Sequence, residues 1–191
     1  MSSPSSSHAP VDLRGLSAHH HALTESFRLF ERCLIAHLLP EAEDCLEAHR
    51  GLLVAHLQAE EELLLPIARE RTLVTRARLV TLEGQHDKLQ SLLGQTLSRI
   101  SALQGEGNQW PDALLSILEV AGTYAHLSEH HHEAEERWLF PTLDAGLTAG
   151  ERDELLGRFL GACAEALARS QARTARSIAA LTHLRPLELS R

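Results

Sequence analysis

One repeated stretch constrains this chain more than any other feature. HLQAEEELLLP at 56–66 returns as HHEAEERWLFP at 131–141, with six identities in eleven positions: His56/His131, Ala59/Ala134, Glu60/Glu135, Glu61/Glu136, Leu64/Leu139 and Pro66/Pro141. Leucine and alanine identities follow from packing alone. Repeated histidines and glutamates require another explanation, because in each copy the His and the Glu stand four residues apart, one turn along the same helix face.

The segments around the repeat read as helix throughout. Apolar residues recur at helical spacing, aromatics make up only 4% of a chain that is 43% hydrophobic, and most of the rest is Leu and Ala. Helix one is expected from about Leu13 to Leu39, helix two from Pro40 to about Arg69, and helix three from about Thr75 to Leu103. The GEGNQWP stretch is read as the exit of helix three. Helix four runs from Pro111 to a stop at Pro141, and Thr148 with Glu151 forms a capping box for a fifth helix. The expectation is an all-α fold: an antiparallel up-down-up-down four-helix bundle over 13–142, with an additional C-terminal helix at 143–185 packed on it. Residues 1–12 read as a disordered leader and 186–191 as a tail.

The equivalence of helices two and four implies the same of helices one and three. In helix four the inward seam is Ile117, Ala121, Tyr124, Ser128, His131, Glu135 and Trp138; in helix two it is Ala42, Leu46, His49, Leu53, His56, Glu60 and Leu63. His20 in helix one and His86 in helix three occupy matching inward positions, with His19 and His21 as rivals to His20. Two half-sites result, His20 with His56 and Glu60, and His86 with His131 and Glu135. Four imidazoles and two carboxylates would each destabilise a dry core by roughly 1 to 3 kcal/mol if left without partners. Two metal ions would partner all six, and mixed imidazole and carboxylate donors suit iron, with manganese or zinc as alternatives.

On these residues the chain resembles the hemerythrin-like family, whose unit is the HHE cation-binding domain. The likeness is carried by HHHAL in helix one, HLQAEE in helix two, EGQHDKL in helix three and HHEAEERWLFP in helix four. It implies a non-haem di-iron centre with carboxylate bridges and an open position for dioxygen, nitric oxide or peroxide. It carries the ligand roles to His20, His56, Glu60, His86, His131 and Glu135. Oxygen carriers of the family have a second histidine four residues further along helix three. Here Gln90 stands there, which favours the branch with four histidines and two glutamates, where nitric-oxide response and iron–sulfur repair are found.

Beside that set, Glu61 and Glu136 compete as bridges or support the ligands from behind, and His49 and Tyr124 stand one heptad before His56 and His131 as supporting donors. Exposed or ordinary hydrogen-bonded roles are expected for His8, His37, His126, His130, His132 and His183, with His132 pointing away from the core. A net charge of −8 opposes binding to nucleic-acid phosphates. Three cysteines without a CxxC pair fit a reducing cytoplasm. No stretch approaches the ~18 apolar residues of a membrane span. The working expectation is a di-iron protein that binds or reacts with O2, NO or peroxide in sensing, stress response or iron handling. The alternatives are a di-iron enzyme that decomposes peroxide or reduces NO, and a metal-free or zinc-bound helical interaction module. The apolar stripe of the fifth helix offers a homodimer contact.

Overall fold

A computed structural model describes residues 12–103 and 110–183; the expected leader up to residue 11, residues 104–109 and residues 184–191, with the expected tail, lie outside the described residues. The described residues are helical, with no strand among them. After a 3-10 turn at Leu13–Leu16, α1 spans Ser17–Ile35. Helix α2 covers 39–70, as an α-helix Leu39–Ala59, a π-helical turn Glu60–Leu64 and an α-helical end Leu65–Glu70. Helix α3 is Arg76–Leu103. Helix α4 covers 110–146 in the same three parts, Trp110–Ala134, π-helical Glu135–Leu139 and Phe140–Gly146. Helix α5 is Ala149–His183.

Helix α1 packs on α2, α3 on α4, and α2 on α3, which makes the four-helix bundle; α5 lies along α2 and touches α1. The ends are fixed locally. Asp12 accepts from the Arg14 amide, and Thr148 and Glu151 cap each other's backbone at the start of α5 as a capping box requires. Helix α1 ends at Ile35, short of the expected Leu39, because His37 takes a left-handed conformation (φ 59°) and closes the helix through a Leu38 amide to Cys33 carbonyl bond. Pro40 then sits in the first turn of α2, where no N–H is missed.

The two prolines of the repeat do not stop their helices. Leu65 N–H bonds to the Glu60 carbonyl and Phe140 N–H to the Glu135 carbonyl, five residues back instead of four. This widened turn starts a fresh α-segment in which Pro66 and Pro141 occupy the first turn. The extra residue also corrects the inward seam. Leu63 and Trp138 were expected in it, but both are only half-buried, and Leu64 and Leu139, one place on, are fully buried. Trp138 instead lies under the Arg78 guanidinium, 5.1 Å away.

The core is divided. One apolar cluster contains Leu23, Phe27, Phe30, Leu53, Leu89, Leu93 and Ile117; the other contains Leu16, Leu64, Leu82, Leu139, Phe140 and Phe159. Between them along each of α1 to α4 stand the buried histidines, joined on α2 and α4 by buried glutamates. Cys33 and Cys45 place their sulfurs 3.9 Å apart in the first cluster as buried free thiols. Among the described residues no helix is long and apolar enough to cross a membrane.

Candidate metal centre

Each helix of the bundle delivers at least one histidine to the layer between the two clusters, and α2 and α4 add a glutamate. His56, Glu60, His86, His131 and Glu135 have no solvent exposure, and His20 is 4% exposed. His56 and Glu60, and His131 and Glu135, are one turn apart on their own helices, at 2.7 and 3.3 Å. The carboxylates also cross the bundle: His86 Nε2 lies 3.2 Å from Glu60 Oε2, His131 Nε2 3.6 Å from Glu60 Oε2, and His20 Nε2 3.2 Å from Glu135 Oε2. Beside an all-histidine group of His20, His56 and His132, two carboxylate-containing donor sets follow, His20, His56, Glu60 and Glu135, and Glu60, His86, His131 and Glu135. They share both carboxylates.

These approaches are not ordinary hydrogen bonds. The Nε2 atoms of His20, His56, His86 and His131 and all four oxygens of Glu60 and Glu135 lack an aligned partner, although they are within 2.7 to 3.6 Å of one another. Donor atoms aimed at a common point behave this way. With bonds of about 2.1 Å, neighbouring ligands on one ion stand about 3.0 Å apart at right angles and about 3.4 Å apart at tetrahedral angles. The donor set therefore fits a pair of transition-metal ions.

The outer ring nitrogens are held from behind. His20 Nδ1 meets Glu136 Oε1 at 2.8 Å, His86 Nδ1 meets Glu61 Oε1 at 2.8 Å, and His131 Nδ1 meets Gln85 Oε1 at 3.2 Å. Such contacts place the ring proton on Nδ1 and turn the Nε2 lone pair inward. Glu61 and Glu136 stand nearly half-exposed behind the rings and join neither donor set. Gln85 was not singled out by its sequence position, and nothing in its spacing marks it.

Charge balance follows the geometry. Burial alone would depress His86, but the surrounding carboxylates of Glu60, Glu61 and Glu135 outweigh it and lift the ring to about 9. His20 and His131 are raised in the same way, against burial, by Glu135 and its neighbours. Burial would raise Glu60, yet His56, His131 and His86 hold it well below the usual carboxylate range.

Of the three candidate histidines in helix one, His20 brings its Nε2 to the carboxylates, His21 is exposed, and His19 is buried with its ring stacked on His56 at 5.0 Å. His132 is the main correction. It is 7% exposed, stacked 4.1 Å from the ring of His20, with an unpartnered Nε2. A helix wedged between two neighbours buries adjacent positions: His131 faces His86 of α3, and His132 faces His20 of α1. A single inward seam cannot anticipate that. His49 and Tyr124 form a separate buried relay, Tyr124 O–H to His49 Nε2 at 2.5 Å and His49 Nδ1 to Ser26 Oγ at 2.6 Å. Gln90 is exposed, turned away from the layer.

The family model for the hemerythrin HHE cation-binding domain matches residues 11–120 and, a second time, 81–184. The chain belongs to the hemerythrin HHE family. The two matches overlap at 81–120. No curated protein and no solved structure matches it. As an HHE domain it carries the histidine and glutamate cluster with which a cation-binding member can hold metal.

Proposed function

We propose that this chain is a di-iron protein whose ions are held by His20 and His56 on one side and His86 and His131 on the other, bridged by Glu60 and Glu135, and that it binds or reacts with dioxygen, nitric oxide or peroxide. The observation that carries the reading is the convergence of unpartnered, fully buried nitrogen and oxygen atoms from four helices on two adjacent points. Iron in such a set supplies Lewis acidity and one-electron redox chemistry when bound.

The chain's own groups supply the rest. Glu61, Glu136 and Gln85 fix the tautomers of His86, His20 and His131, so the ligating lone pairs are pre-aimed. The apolar clusters above and below exclude bulk water and keep the electrostatics strong. A cavity of about 530 Å³, lined among others by His20, Phe27, Tyr124 and His132, reaches the layer from the α1–α4 face and is wide enough for a diatomic molecule or peroxide.

The test is metal content of anaerobically purified protein, followed by absorption spectra on admitting air, nitric oxide and peroxide in turn. About two irons per chain with a spectral response to at least one of them is expected. Protein that takes up no iron, and whose melting temperature is indifferent to chelation, would overturn the reading and leave a helical interaction module.

A further inference from the structure

The cavity on the α1–α4 face contains more histidine and carboxylate than gas access requires. His21, His126 and His132 line it with His20 at its floor, and Glu129, Glu133 and Glu136 surround them. His126 lines the cavity, and one turn further along α4 the exposed His130 is hydrogen-bonded to it, Nε2 to Nε2 at 3.1 Å. That is again the separation of two ligands on one ion. His130 Nδ1 lies 3.5 Å from Glu133, the arrangement in which a carboxylate orients an imidazole for metal. Deeper in, His132 is 7% exposed and its Nε2 has no partner, although an unpaired buried donor or acceptor is destabilising by roughly 1 to 3 kcal/mol. One ring nitrogen each of His20, His56 and His132 lie within 4.8 Å of one another.

We propose that this cavity is the loading path for a divalent metal ion, with the His126–His130 pair as the capture point at its rim and His132 as the relay that passes the ion to His20 and His56. The inference rests on the di-metal reading above and adds to it a route. His132 is not placed as a permanent ligand. Its ring lies parallel to that of His20 within 6°, so the two lone pairs run side by side and do not converge. A rotation of the His132 side chain aims its Nε2 at an ion arriving through the cavity, and release follows when Glu60 and Glu135 complete the coordination. The carboxylates along the wall raise the local cation concentration and speed capture.

The experiment uses the full-length, metal-free protein with zinc ions alone as the probe. Uptake is followed by stopped flow against a chromophoric chelator, for wild type, the His126→Ala/His130→Ala double variant, and His132→Ala and His132→Gln. The expected result is an unchanged core end point in all four proteins, with loading slowed roughly tenfold or more in the variants. Wild type should also hold one further, weakly bound zinc that the double variant lacks. Variant rates equal to wild type would overturn the path, and a lower end point in both His132 variants would make His132 a ligand and overturn its relay role. The double variant changes only exposed positions, so its result does not depend on repacking the core. If wild type itself takes up no zinc in the core, the path and the di-metal reading fall together, whereas full loading at variant-independent rates removes the path alone.

Discussion

His20 of α1 and Glu136 of α4 meet across the bundle at 2.8 Å, Nδ1 to Oε1, and this contact decides which nitrogen of His20 faces the carboxylate layer. His86 and Glu61 repeat it on the other side at the same distance. Replacing Glu136 with Ala frees the ring to rotate or change tautomer while leaving every proposed ligand in place. Metal affinity should fall about 10- to 100-fold with the same stoichiometry at saturation, measured by chelator competition. A lost equivalent of metal at saturation would make Glu136 a ligand.

Glu60 and Glu135 are each placed between the histidines of both halves. Glu60→Ala or Glu135→Ala should therefore lower occupancy at both positions, whereas His20→Ala should weaken chiefly one. Elemental analysis of the three variants, loaded side by side, separates these outcomes. Equal loss in all three would remove the bridging role.

Metal-free protein should be most stable near pH 6.5. His19 and His49 are pushed down by burial from 6.5 to about 4 and about 3. Below 6.5 the unfolded chain thus binds protons that the folded chain refuses, and stability falls with acidity; Glu60, held low in the fold, adds a further loss below about 4.5. His86 is shifted the other way, to about 9, so between 6.5 and 9 the folded state holds a proton the unfolded state has released, and stability falls as pH rises. Bound metal takes the place of that proton and should abolish the alkaline decline. Melting temperatures across pH 4 to 9, with and without chelator, test this; a steady rise to pH 9 in metal-free protein would contradict it.

Tyr124→Phe removes the O–H that satisfies His49 Nε2 in a fully buried position. The cost should be about 1 to 3 kcal/mol of unfolding free energy, seen in denaturant titrations, with metal stoichiometry unchanged. An unchanged midpoint would mean that His49 finds another partner, and lost metal would tie the relay to the centre.

Helical periodicity made the bundle legible, and the repeat made the histidine and glutamate layer legible, because a four-residue spacing has one reading on a helix face. Three things were not. The π-turns at Glu60 and Glu135 leave no mark in composition, so Leu63 and Trp138 read as inward when Leu64 and Leu139 are. His132 lies beside His131, and periodicity assigns neighbours to different faces without knowing that both faces are covered. Gln85 acts through a contact between α3 and α4 that only the relative rotation of the two helices determines.

Helix α5 lies along α2 and α1, bringing Phe159 edge-on to His56 at 5.5 Å and to His19 at 6.1 Å, while His131 is backed by Gln85. A motif that the sequence writes twice is thereby housed in two different surroundings, one aromatic and one amide-lined. If both positions take metal as proposed, a chain offered a mixture of ions would sort them between the two instead of filling them at random.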